Sequence, residues 1–220
     1  MNDAFPGLPA DFFAFLDELA RNNSKPWFEE HRDRFRASVQ EPAMALVAAL
    51  GSAVAAEFQG ISYDTRANGG SLMRIYRDVR FSADKSPFKT NVAMIFVGPG
   101  RKKMESPGYG LQLSSKGVEL VAGVFGFQKE ALQKYRDAVL GIKSGGELEA
   151  AAAAVPADTG YTWGGQTYKK VPRGLPADHR RAEWLRYTGL AVYSPVLPKA
   201  LSLGPAFIPG VMKHFRAMSP

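Results

Sequence analysis

The hydrophobic period of this chain changes once, near Gly60, and that change constrains the fold more than any other feature. Before it, apolar residues recur at helical spacing. Phe12, Phe15, Leu16 and Leu19 share one stripe of a segment that opens at Pro9, carries Asp11 at its positive end and stops at Asn22 and Asn23. Ser24 reads as the next N-cap, with Pro26 just inside and Trp27, His31, Phe35 and Val39 following. Pro42 interrupts that run or begins another helix, which Leu46, Val47, Leu50 and Val54 carry on. After Gly60 the pattern is that of strands. Leu72–Phe81 and Asn91–Val97 are joined by a proline-containing loop, and Tyr109–Leu113 and Val118–Phe125 flank a short Gly-containing turn that predicts an antiparallel hairpin. Helical spacing returns in Gln128–Leu140, where Leu132, Tyr135 and Val139 share a face. It recurs in Glu147–Val155 after a Ser-Gly-Gly turn, in Asp178–Tyr187 and in Phe207–Met218. This order predicts an α+β fold, an antiparallel or mixed sheet with helices packed over it. With 220 residues, no internal repeat and no long linker, the expectation is a single domain over residues 1–220.

Several chemistries drop out early. There are no cysteines, which removes disulfides, thiol nucleophiles and thiolate metal sites. The three histidines, His31, His179 and His214, are scattered and stand in no ligand spacing, so no metal site is predicted and cofactors stay unassigned. GPGRKK lacks the spacing of a phosphate-cradling loop and reads as a basic turn over Gly98–Lys103, and neither GxGxxG nor GxSxG occurs. The longest apolar run, Met44–Ala56, is Ala-rich and falls short of the roughly 18 residues that cross a bilayer. The first residues carry an acid and two prolines where a secretory signal would be basic and then apolar. The expectation is a cytoplasmic protein without a membrane partner; oligomeric state is left open.

The net charge of +7 is unevenly placed. Ser71–Lys103 holds eight Lys/Arg against two Asp, and Lys169–Arg186 holds six against two acids, so the rest of the chain is mildly acidic. Strand alternation puts Arg74, Tyr76, Asp78 and Arg80 on one face and Met73, Ile75, Arg77, Val79 and Phe81 on the other. Arg77 thus lands among apolar side chains, where a guanidinium needs a carboxylate or a ligand anion. Asp78 points away from it, and Asp84 is the better internal partner if the loop folds back.

The segment RIYRDVRFSADKSPFKT resembles the signature of the domain-of-unknown-function family 2461, which carries an RDxRFSxDKxPxKT core. The resemblance extends over nearly the whole chain: FFAFLDELARNNSKPWF is similar to the family's opening helix and NN…WF element, PGYGLQL to its central hairpin, and YKKVPRGLPADHRRAEWL to its late KxxPxG segment. It brings with it no activity, cofactor or catalytic residue. The chain departs from the family pattern at Phe88, where tyrosine is common, and at Gly110, where an aromatic is expected; a ligand site lined by those aromatics would be altered here.

Four readings of the basic segment stay open. Arg74, Arg77, Arg80, Lys85 and Lys89 form a pocket for a small phosphate- or carboxylate-bearing ligand, joined by Lys170 and Arg173 of the second segment if the two meet across a cleft. Alternatively Asp78 and Asp84 lock the same cations into a purely structural ion network. In a third reading the two segments, with Trp27 and Trp184 as stacking surfaces, contact nucleic acid, although both tryptophans fit a core position and no KH or RRM motif is present. In a fourth, Asp78 or Asp84, with Asp64 as an optional third acid, holds Mg²⁺ for phosphoryl transfer or hydrolysis. Glu29, Glu30 and Asp33 read as a helix's solvent face and are given no acid–base role.

Overall fold

The computed structural model describes residues 5–67, 69–100 and 102–219, with Gln166 described by its backbone alone. Helix α1 (Ala10–Arg21) begins after Pro9 and buries Phe12, Phe13, Phe15, Leu16 and Leu19. A short helix α2 (Lys25–Glu30) follows, and its N-cap Ser24 accepts a hydrogen bond from the Trp27 amide at 3.4 Å. One turn, α3 (Arg32–Phe35), leads into a π-helical turn over Arg36–Gln40 and then into α4 (Glu41–Glu57). Pro42 accounts for the π-turn. It has no N–H to give, and its ring would meet the carbonyl four residues back in a regular α-helix. The wider turn places Glu41 N–H on the Arg36 carbonyl, five residues back. The run Arg32–Glu57 is long and apolar enough to cross a membrane by length and composition alone. Its residues Ala43, Leu46, Val47, Leu50 and Val54 are buried within the protein.

Five strands form an antiparallel sheet: β1 (Asn91–Val97), β2 (Gly108–Ser114), β3 (Gly117–Val124), β4 (Thr162–Gln166) and β5 (Tyr187–Tyr193), in the order β1-β2-β3-β5-β4. Helices α5 (Lys129–Leu140), α6 (Ile142–Ala154) and α7 (Phe207–Met218) complete the α+β architecture. The chain divides into two compact units. One lies within Met1–Phe96, Gly110–Glu119 and Val196–Met212, the other within Val97–Tyr109, Leu120–Pro195 and Lys213–Pro220. The first unit's core is aromatic. Phe28 stacks on Phe88 at 4.1 Å between ring centres, and Phe35 packs on both Phe28 and Phe15. In the second, Val139, Leu185, Ala191 and Val192 are buried.

Three expected elements differ. Leu72–Phe81 is extended but is not a strand: it makes isolated bridges at Leu72↔Met94 and Tyr76↔Phe88. Four positions separate Leu72 from Tyr76, while six separate Met94 from Phe88, so continuous pairing is impossible and the ladder breaks between the bridges. Helix α6 starts at Ile142, and the expected Ser-Gly-Gly turn lies inside it. Gly145 is there for packing: a Cβ would sit 2.3 Å from the buried Arg181 guanidinium. The helix expected over Asp178–Tyr187 is a set of turns and a 3₁₀ turn (Trp184–Arg186) leading into β5, a strand not expected from the sequence, as is the short, Gly-containing β4. Of the basic turn over Gly98–Lys103, Arg101 lies outside the described residues.

Candidate functional site

The first unit holds a cavity of about 220 Å³ between the π-turn and the extended segment 72–76. Its floor is apolar: Phe28, Val39, Ala43, Leu72 and Val92 are buried. Exposed side chains of Arg32, Arg36, Arg74 and Tyr76 form its rim, and Gln40 and Asn91 line it as half-buried polar groups. No carboxylate lines it. Arg32 donates to Glu29 at 2.5 Å, whereas neither Arg36 nor Arg74 forms an ion pair with a carboxylate among the described residues, although the charge of Arg74 helps hold the Asp78 carboxyl down. The Glu29 hydrogen bond also holds the Arg32 guanidinium more firmly protonated than usual.

Both walls follow from local sequence. Arg32, Arg36, Val39, Gln40 and Ala43 recur at i, i+4, i+7, i+8 and i+11, one helical face, and the π-turn falls within it. Such turns are frequent at functional sites. Opposite, residues 73–80 keep the alternation of a strand: Arg74, Tyr76, Asp78 and Arg80 are exposed, and Met73, Ile75, Arg77 and Val79 are half-buried. Met73 N–H bonds the Ala93 carbonyl at 2.8 Å and Arg77 N–H the Pro87 carbonyl at 2.9 Å, which fixes Arg74 and Tyr76 between two anchored points. A third anchor comes from Asn23. Its side-chain amide donates to the Phe88 carbonyl at 2.9 Å and accepts from the Phe88 amide at 3.1 Å, as a strand neighbour would. Phe88 itself is buried against Phe28 and does not line the cavity.

The cations of the basic segment do not stay together. Arg77 forms an ion pair with Asp84, whose carboxyl also accepts from the Ser86 hydroxyl and amide and is held down at about 2, chiefly by those Ser86 bonds and then by Arg77. Arg80 pairs with Asp78 at 2.7 Å, and Lys85 donates to the Val79 carbonyl at 3.0 Å. Lys89 is half-buried, and its burial, followed by the charge of Arg74, pushes its ammonium pKa down. Only Arg74 of this set lines the cavity. Lys169, Lys170 and Arg173 belong to the second unit, where all three are exposed without a carboxylate partner among the described residues.

The acids expected as metal ligands are taken by arginines. Asp78 is held by Arg80, Asp84 by Arg77 and Asp64 by Arg66, the last at 2.5 Å. No group of three His, Asp or Glu side chains that could hold a metal ion occurs among the described residues. Each histidine is satisfied locally. His31 stacks on Trp27 and donates to its carbonyl, His179 accepts from the Arg181 amide, and His214 bonds the Tyr161 hydroxyl at 2.7 Å. Trp27 also packs on Phe15, and Trp184 packs against Trp163 and Tyr187. Sequence reasoning missed Arg32 and Arg36, although their i, i+4 spacing beside Pro42 was there to be read.

An α+β protein with an arginine-rimmed, acid-free cavity is the class that fold and site define. The chain belongs to the family described as conserved hypothetical protein (DUF2461), whose model matches residues 11–220. No curated protein matches the sequence.

Proposed function

We propose that the protein binds a small organic anion, carboxylate- or phosphate-bearing, in the cavity between the π-turn and segment 72–76. The observation that carries this reading is that Arg36 and Arg74 converge on one cavity with no carboxylate among its described lining residues and no ion pair of their own among the described residues, the charge of Arg74 being felt only at longer range by Asp78. Guanidinium groups match such anions bidentately, and an apolar floor gives the ligand's body a place to leave water. Arg32 is a reserve cation, available once it releases Glu29. Arg77, Arg80 and Lys85, tied up in the neighbouring loop, are supports rather than ligands in this reading.

Thermal shifts with benzoate, phenyl phosphate, sulfate and inorganic phosphate test it. A ligand present at a hundred times its Kd stabilises by about 2.7 kcal/mol. Arg36→Ala and Arg74→Ala should each weaken binding roughly 10- to 100-fold, the worth of about 1.5–3 kcal/mol for a hydrogen bond to a charged group. Arg80→Ala and Lys85→Ala should leave it unchanged. Absence of any shift at millimolar anion would overturn the proposal.

A second reading, contact with single-stranded nucleic acid, is favoured by one observation. Phe81, at the tip of the basic loop, is 95% exposed with the Arg80 guanidinium 5.7 Å from its ring centre. An exposed ring beside cations is a stacking platform for a base. It predicts oligonucleotide affinity that falls steeply with salt and is lost in Phe81→Ala.

A further inference from the structure

Three strands carry a polar chain that ends at the cavity wall. Glu119 on β3, Gln112 on β2 and Asn91 on β1 are linked side chain to side chain, and all three are half-buried. The direction of this chain is set at one end. A carboxylate accepts hydrogen bonds, so Gln112 turns its Nε2 to Glu119, at 2.9 Å. That leaves Gln112 Oε1 facing Asn91, whose Nδ2 donates to it at 2.5 Å. An asparagine alone could present either end of its amide. Here the carboxylate two strands away commits Nδ2 to the sheet and leaves Oδ1, an acceptor, as the atom without a partner in the chain.

Glu119 has no cationic partner among the described residues. A half-buried carboxylate bonded to an amide rather than to an arginine contributes little as an ion pair, and its clearest consequence is this orientation. The cavity's size adds a second constraint. A cavity of 150 Å³ takes up benzene, so about 220 Å³, open on one side, holds one ring with its substituents. Arg36 and Arg74 set the third, because two guanidiniums without a direct ion pair among the described residues disfavour a cationic donor beside them.

We infer that the ligand is a single-ring-sized organic acid or phosphate ester bearing, besides its anionic group, one neutral O–H or N–H donor read by Asn91, with Gln112 and Glu119 as positioning residues. This rests on the anion-binding reading above. A site built to accept a ligand's hydrogen bond rejects the analogue that lacks it, because the acceptor, once covered by the ligand, is left unpaired.

Isothermal titration of the full chain with benzoate, 3- and 4-hydroxybenzoate and the matched methoxybenzoates tests it. At least one hydroxy isomer should bind 10-fold or more tightly than its methoxy counterpart, and Asn91→Ala should erase that preference while benzoate still binds. Glu119→Lys places a donor at the end of the chain and turns Gln112 round, so that Asn91 presents its N–H and the preference passes to the methoxy compound. Should Asn91→Ala fail to fold, Glu119→Gln removes the fixed direction and should shrink the hydroxy preference. If benzoate binds through Arg36 but no hydroxy isomer is preferred, or the preference survives Asn91→Ala, the inference fails and the anion site stands. If neither benzoate nor phenyl phosphate binds at millimolar concentration, both fall.

Discussion

Asn23→Ala should destabilise the protein by about 3 kcal/mol, and the size of that loss follows from what the side chain replaces. Asn23 satisfies both the N–H and the carbonyl of Phe88, sixty-five residues away, with bonds of 3.1 and 2.9 Å. Phe88 is 1% exposed, so solvent has poor access to the two groups once the amide is gone. Stranding a buried polar group costs about 1–3 kcal/mol. Two such groups, allowing for partial relaxation, give about 3 kcal/mol, or about 6–12 °C in Tm at 2–4 °C per kcal/mol for a chain of this size. The neighbouring Asn22 is the control, since its side chain donates only to the exposed Glu18 carbonyl. Its alanine variant should stay within about 0.5 kcal/mol of the parent. Asn23→Asp keeps an acceptor for the Phe88 amide but sets a carboxylate oxygen against the Phe88 carbonyl, and should not rescue. Urea unfolding reads these losses as a change in midpoint at constant slope. A loss below about 1 kcal/mol for Asn23→Ala, or one no larger than for Asn22→Ala, would refute the account of how segment 87–89 is held.

Three more expectations concern other parts of the fold. Hydrogen bonds from Arg34 and Ser38 hold the Asp11 carboxyl at about 2 against its ordinary 3.8. A shift of that size is worth about 2.4 kcal/mol before screening, and with the side chain 42% exposed, about 1 kcal/mol. A folded value below the unfolded one means that this stability is fully present above about pH 4 and is lost as pH falls towards 2; Arg34→Met should flatten that part of a stability–pH curve. Gly145→Ala puts a Cβ 2.3 Å from Arg181 Nη1 and 2.4 Å from the Val139 carbonyl oxygen and should cost about 2 kcal/mol in thermal unfolding. Gly146→Ala meets nothing within 4 Å and should stabilise α6 by up to about 1 kcal/mol. Arg77→Ala should raise hydrogen exchange across residues 78–86 by freeing Asp84, yet leave benzoate affinity as it was; unchanged exchange would show that the pair does not hold the loop.

Much of the fold was legible because the relevant signals are local. Pro9, Asn22, Ser24 and the apolar stripe between them delimit α1 and open α2, and the four residues after Leu113 make a hairpin of β2 and β3. Each misreading has a long-range cause. Leu72–Phe81 has the composition and even the burial alternation of a strand, but its partners lie in two pieces out of register with each other, which no property of the segment reveals. The glycines of Ser-Gly-Gly look like a turn until Arg181, more than thirty residues later, packs beneath the first of them. Strands β4 and β5 escape notice because they depend on their mutual pairing, in which Trp163 faces Val192 and Gly164 faces Ala191.

On the proposed reading, a density of cations is a poor guide to where an anion binds. Residues close in sequence can neutralise one another, and in the arginine-rich motif they do: Asp78 takes Arg80 two positions on, and Asp84 reaches back to Arg77. Positive charge that remains available must come from arginines outside those ion pairs, such as Arg74, whose charge Asp78 feels only at longer range, and the fold brings them together. Arg74 stands at the start of the motif, upstream of its acids, while Arg36 arrives from a helix whose register is opened by the π-turn before Pro42. The motif's own ion pairs therefore serve the site indirectly. Their part in that reading is to close the loop on itself, with Arg77 held by Asp84 and Arg80 by Asp78. That division of labour predicts that charge reversal at Asp78 or Asp84 would disturb the loop before it disturbs binding, whereas an acid introduced at Ala67 or Gln40, both on the cavity lining, would abolish binding with the loop intact.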